Sequence, residues 1–232
     1  PAVEPEKYEV KYTPYRAVYT LEHQNIRAIT SFTLHPSNPD IIMNFNIENL
    51  NGKTVKLDIF PVLRLYANPA QLAPWDQPEW YLRTSLFKHN GRPGFLTQLM
   101  NMNAQPDMRR YITLLSSKSD VAGAELYCEK FIGHGTFERP QACFKSRLRI
   151  LFSDALPFGK SGPNNSAYCY PQINALHYVC TLEPNQNWNL TQVLSLLPNG
   201  PAGTLPSASD LNASMKLLEK TEYDKCCTAL KN

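Results

Sequence analysis

Polar and apolar positions alternate from the start of the chain. Tyr8, Val10 and Tyr12 are interleaved with charged residues, and Tyr15, Ala17, Tyr19 and Leu21 follow beyond Pro14. A period of two, with aromatic and β-branched residues on one side, predicts strand. The pattern continues over 26–34 and 41–47. Asn51-Gly52 separates the 41–47 run from another over 54–66. That dipeptide between two strands predicts a tight hairpin joining them. Pro61 inside the second run predicts an edge strand or a bulge.

Strand-like runs recur at 81–88, 110–115, 125–131 and 142–152, and Asn90-Gly91-Arg92-Pro93-Gly94 predicts a turn. Residues 95–102 admit a short helix, which periodicity alone does not separate from a strand. Segments 153–166 and 198–209 are loops rich in Pro, Gly and Ser. Asp210 can cap a final helix that gathers Leu211, Met215, Leu218 and Cys226 near one face, with Lys225 and Lys231 late in it. Roughly nine strands at this spacing predict a mainly β fold, a β-sandwich or jelly-roll of antiparallel sheets, with a disulfide-anchored C-terminal helical segment. The expected division is an N-terminal arm over 1–12, a β-rich domain over 13–197, and a loop plus helix over 198–232 packed on that domain. The arm is expected to add as a strand to this domain or to a neighbouring copy.

Composition narrows the class. At 232 residues, 43% hydrophobic and 19% charged, the chain can fill a substantial core, and disordered and fibrous classes are excluded. Nineteen prolines against ten glycines, with twelve Tyr, ten Phe and three Trp, favour strands joined by stiff loops. A net charge of +3 gives no electrostatic mandate for nucleic acid or anionic lipid. No apolar run approaches the roughly 20 residues of a bilayer span.

The cysteines point to an oxidising compartment. The chain begins at Pro1 with no charged-then-apolar leader after it, so either a targeting segment has been removed or the chain is a trimmed piece. Six cysteines (Cys128, Cys143, Cys169, Cys180, Cys226 and Cys227) are an even number confined to the C-terminal half, with no Cys-x-x-Cys and no zinc-like histidine spacing. Three disulfides are expected. Cys128 and Cys143 are equidistant from Gly135-Thr136, so a hairpin turning there would bridge them, leaving Cys169 and Cys180 to hold Cys226 and Cys227. Glycosylation triplets begin at Asn164, Asn189 and Asn212, the first in a loop and the other two in segments that read as helical.

Catalytic motifs are sparse. Gly159-Lys160-Ser161 resembles the end of a phosphate loop, but Asp154 stands where the first glycine belongs, so a plain surface turn is the expectation. There is no Gly-x-Ser-x-Gly elbow and no His-x-x-x-His pair. His134, flanked by glycines with Glu125, Glu129 and Glu138 close in sequence, is the one histidine that could serve as a base in a hydrolase. Lys145, Arg147 and Arg149 form a basic stripe that reads first as the solvated face of a strand. The best binding candidate is the loop carrying Trp75, Asp76, Glu79, Trp80 and Tyr81, where indole faces could stack on sugar rings beside carboxylates that accept hydroxyl donors. The alternative is that both indoles cap the core.

These features predict a secreted, disulfide-bonded, glycosylated, non-catalytic β domain. It would act in extracellular binding or self-assembly, with a protein partner or copies of itself, without cofactor, metal, nucleic acid or membrane span. Glycan binding through the Trp75/Trp80 loop is the first alternative and a secreted hydrolase the second.

Overall fold

The computed structural model describes residues 4–65, 82–99, 111–136, 139–144, 166–168, 172–197 and 206–230. Thirteen strands are described: β1 (Lys7–Thr13), β2 (Arg16–His23), β3 (Ile26–Leu34), β4 (Asp40–Asn49), β5 (Val55–Ile59), β6 (Val62–Leu63), β7 (Leu82–His89), β8 (Arg92–Leu99), β9 (Tyr111–Ser116), β10 (Gly123–Tyr127), β11 (Ser166–Tyr168), β12 (Gln172–Leu182) and β13 (Asn187–Leu197). Three helices accompany them: α1 (Cys128–Ile132), α2 (Ala208–Lys216) and α3 (Lys220–Ala229). Every described pairing is antiparallel. The chain is therefore mainly β, as the alternation predicts.

Nine strands form one sheet in the order β1-β2-β3-β4-β13-β9-β8-β7-β11, and a smaller sheet runs β10-β12-β5 with β6 also on β12. The two sheets enclose a core of Met43, Leu86, Phe95, Leu114, Leu126, Leu176, Tyr178, Trp188 and Leu190. Burial pushes the Tyr178 phenol well above its ordinary range. On the opposite face of the large sheet the C-terminal helices cover β4, β13, β9, β8 and β7. Leu211 of α2 packs with Phe87, Leu96, Tyr111, Leu115 and Leu197, while Leu217 and Cys226 pack on Ile42 and Val193. Ser207 caps α2 in a reciprocal capping box with Asp210, three residues before the position predicted for the cap.

Tight turns fall where the backbone can reach positive φ. Gln24-Asn25 (φ 49° and 57°) joins β2 to β3, and Asn90-Gly91 (φ 49° and 73°) joins β7 to β8. The strand after Asn90-Gly91 is β8, so residues 95–99 extend the sheet instead of forming a helix. The hairpin predicted at Asn51-Gly52 does not form. β4 pairs with β3 and β13, while β5 pairs with β12 in the other sheet. Asn51-Gly52 is thus a crossing between layers, pinned by Asn49. That side chain is fully buried, its Nδ2 donates to the carbonyls of Lys53, Leu182 and Glu183 at 2.9–3.1 Å, and its Oδ1 accepts from the Asn51 N–H.

The disulfide expectation is corrected. No disulfide joins any two of the described cysteines, and Cys169 lies outside the described residues. The hairpin that would oppose Cys128 and Cys143 is replaced by α1, which begins at Cys128 and ends at Gly133, and by a 3-10 turn over Gln141–Cys143. Cys226 packs with Ile42 and Val193 on one face of the large sheet, whereas Cys180 belongs to the core on the other. Layers about 10 Å apart exceed the reach of a disulfide between those two. Among the described residues, apolar packing holds the helical tail. Burial pushes the Cys143 and Cys180 thiols up. Both are expected to alkylate slowly in the native chain and rapidly on unfolding, with peptide-resolved labelling as the check; equal rates in the two states would contradict the packing.

Candidate binding face

The site is built by the first three strands. Registers place Tyr8 opposite Leu21, Val10 opposite Tyr19 and Tyr12 opposite Ala17, then Ala17 opposite Phe32, Tyr19 opposite Thr30 and Leu21 opposite Ala28. Because side chains alternate along a strand, these residues share one face of the large sheet. Phe32 pairs with Met43 and Leu34 with Ile41, so it is the same face that is buried farther along, where Ile41, Met43, Phe45 and Ile47 enter the core. Among the described residues that core includes β4 and no residue of β1, β2 or β3. The apolar side of the sheet therefore continues past its cover. Tyr12 is 71% exposed, Tyr8 61%, Leu34 50%, and Leu21 and Phe32 are each 37% exposed.

The aromatic rings form a connected row. Tyr12 and Tyr19 meet edge to face at 6.2 Å with ring planes at 86°, and Tyr19 meets Phe32 at 5.9 Å and 88°. The Tyr12 and Tyr19 hydroxyls lie 3.3 Å apart. Hydrogen bonding to Tyr12, followed by burial, raises the Tyr19 phenol above its ordinary value. The reverse face is ionic. Lys7 and Arg27 hold Glu22 at 2.8 Å and 2.7 Å, and Arg27 reaches Glu48 at 3.0 Å. The Lys7 hydrogen bond and then that of Arg27 hold the Glu22 carboxyl below the usual carboxylate range. One side of this ribbon offers rings and methyl groups, the other paired charges. Exposed rings in a row can stack on the apolar faces of sugars or pack against another apolar surface.

A second arrangement lies on the small sheet. His177 is 1% exposed, its Nε2 lies 2.7 Å from Asp58 Oδ1, and its ring stacks on Phe60 at 4.4 Å and 5°. Nε2 donates to Asp58, and Nδ1 has no hydrogen-bond partner. A ring so enclosed presents no face to a substrate, and the pair serves as a joint between β5 and β12. Two clefts flank α2. One of about 220 Å³ is lined by Asp40, Asp210 and Ser214, the other of about 560 Å³ by Arg92, Lys216 and Glu219.

The sequence-predicted site residues scatter. Trp75, Asp76, Glu79, Trp80 and Tyr81 lie outside the described residues, as do Asn164, Glu138, Lys145, Arg147, Arg149 and Gly159-Lys160-Ser161. His134 is exposed beyond α1, but the buried Glu125 turns its Oε1 to the backbone N–H groups of Leu126 and Tyr127 at 2.9 and 3.0 Å. Asn189 stands exposed on strand β13, not a helix, and accepts from Asn46 at 2.7 Å. Asn212 lies on α2 with its Oδ1 2.8 Å from His89 Nε2 and 3.2 Å from Asn90 Nδ2. The described residues contain no group of three potential metal ligands and no helix long and apolar enough to cross a membrane. The aromatic row itself was visible as alternation at 8–12 and 15–21, but no local signal marks that face as uncovered.

A family model described as the supersandwich domain of glycosyl hydrolase 94 matches residues 1–195. No curated protein matches the chain. Among solved structures it is similar to one described as a polysaccharide lyase, with a TM-score of 0.49 and 13% identity over 84% of this chain and 23% of that one. It is also similar to one described as a kojibiose phosphorylase from human microbiome, with a TM-score of 0.43 and 12% identity over 89% of this chain and 20% of that one. The chain spans less than a quarter of the length of either.

Proposed function

The chain belongs to the glycosyl hydrolase 94 supersandwich-domain family, and we propose on that premise that it is a non-catalytic, carbohydrate-binding β module whose sugar contact is the uncovered face of β1–β3. The observation that carries this reading is the row of Tyr12, half-buried Tyr19 and Phe32, ring against ring, with exposed Tyr8 on the same face. Rings anchored on paired strands lose little freedom on binding, and the tyrosine hydroxyls supply donors and acceptors beside the stacking surface. Glycan contact through the Trp75/Trp80 loop is the competing surface for the same ligand class.

Affinity electrophoresis or a glycan array tests the two together. Retention on at least one polysaccharide is expected, weakened by about tenfold or more in a Tyr12→Ala, Tyr19→Ala double variant. A Trp75→Ala, Trp80→Ala variant is expected to bind as the parent does. Binding that survives loss of the tyrosines and fails with the tryptophans would move the site to the loop. Absence of retention on every glycan would end the proposal. An extracellular location is compatible with this role, and a sugar-sized mass loss on deglycosylating native-source protein would support it.

A further inference from the structure

β1 ends the large sheet, so one of its backbone edges has no neighbour in the described chain. The register settles which groups it offers. The Leu34 N–H donates to the Tyr15 carbonyl, so odd-numbered residues of β2 turn their backbone toward β3 and even-numbered ones toward β1. Their β1 partners are Lys7, Glu9, Lys11 and Thr13. The backbone groups of Tyr8, Val10 and Tyr12 therefore face outward. Edges are normally blunted by short length, proline, a bulge or charged side chains, lysine above all; of these β1 carries Lys7 and Lys11, with Glu9 paired to Lys11 at 3.0 Å within the chain. β1 has seven residues, no proline within it and an unbroken register with β2. The opposite edge strand of the same sheet, β11, has only three.

We infer that this edge takes the β1 strand of a second copy of the chain, antiparallel and with Val10 on the two-fold axis. In that register Tyr8 exchanges backbone hydrogen bonds with Tyr12 of the second copy, and Val10 with its own equivalent. Glu9 then stands opposite Lys11 of the second copy, twice over. Those residues lie side by side without hydrogen bonds between their backbones, where cross-strand side chains approach most closely. Sliding by two residues, the smallest slip that keeps the backbone groups matched, opposes Glu9 to Glu9 in one direction and Lys11 to Lys11 in the other. Charge complementarity thus selects one register. A two-fold axis perpendicular to the sheet keeps Tyr8, Val10 and Tyr12 of both copies on one side, so the aromatic row runs on across the junction. The pairing goes beyond the carbohydrate reading and does not depend on it, because the variants below leave Tyr12 and Tyr19 in place.

Light scattering coupled to size exclusion tests it. The parent is expected to show about twice the 26.3 kDa chain mass in a concentration-dependent equilibrium. Glu9→Lys alone and Lys11→Glu alone each oppose like charges, and each is expected to raise the dimer dissociation constant at least about tenfold. Mixing the two single variants restores complementarity and should recover a heterodimer, and a chain carrying both changes should dimerise like the parent. Val10→Pro, which removes an outward N–H without touching the bonds to β2, should give monomer with an unchanged far-ultraviolet spectrum. A parent that stays monomeric at every concentration overturns the inference and leaves the edge to a different strand. A dimer indifferent to both charge variants overturns it too, by placing the interface elsewhere.

Discussion

Phe95→Ala is expected to destabilise the chain by about 3–5 kcal/mol, the range for removing a fully enclosed ring. Phe95 is 1% exposed and sits on β8, an interior strand of the large sheet, paired with Leu86 on β7 and Leu114 on β9. All three belong to the core that faces the small sheet, together with Leu126 and Tyr178. The other face of β8 is packed as closely: a Cβ on Gly94 would lie 2.8 Å from Leu115 Cδ2 and 3.1 Å from the Leu114 carbonyl oxygen. A cavity opened between two packed layers is not refilled by small shifts. Chemical denaturation gives the measurement, with Leu21→Ala as a control of under about 0.5 kcal/mol on the uncovered face. A cost below about 1 kcal/mol for Phe95→Ala would mean the sheets do not pack as described.

Asn49→Asp is expected to match it by a different route. Asn49 is fully buried, and its amide nitrogen serves three carbonyl oxygens at the point where the chain leaves one sheet for the other. A carboxylate there faces three acceptors with no donor to offer, at a cost of about 3 kcal/mol or more at neutral pH. The sign of the pH dependence follows. The native state disfavours the charged form, so the folded pKa of the new carboxyl is raised above its unfolded value. The penalty is then absent below about pH 4, where both states are protonated, and grows as pH rises above the unfolded value. Asn49→Ala loses the same donor but adds no charge, so its deficit should not depend on pH. Equal deficits for the two variants at pH 4 and pH 7 would count against this account of Asn49.

The alternating N-terminal part was legible locally; the strand expected over 125–131 was not, since α1 begins at Cys128, nor the single final helix, which is two, α2 and α3. The alternation over 7–21, 26–34 and 41–47 corresponds to β1 through β4, and the capped helix after 207 carries Leu211 inward as its spacing implies. Pairing failed as well. Asn51-Gly52 announces a turn, yet which strands meet across it depends on residues more than a hundred positions away, since β4 lies against β13 and β5 against β12. The cysteines failed for a related reason. Even number and clustering suggest bridges, but Cys180 and Cys226 come to opposite faces of one sheet, which only the sheet order reveals. The aromatic face lay between these cases. Tyr8, Tyr12 and Tyr19 were visible as the apolar side of amphipathic strands, but alternation does not say where the covering layer stops. Asn49 gave no signal, because a single polar residue at the end of a strand is ordinary until three carbonyls converge on it.

The pairing of β4 with β13 also sets a schedule for folding. During synthesis β1 to β4 emerge first as a meander of neighbours, each needing only the strand beside it. The other neighbour of β4 is encoded about 140 residues later, an interval on the order of ten seconds at ordinary translation rates. Through that wait the nascent meander has β1 open at one side and β4, with the apolar Ile41, Met43, Phe45 and Ile47, open at the other. The nascent chain is therefore most exposed to aggregation before its last long strand arrives, and slow refolding dominated by that one distant pairing is the kinetic counterpart of the sheet order.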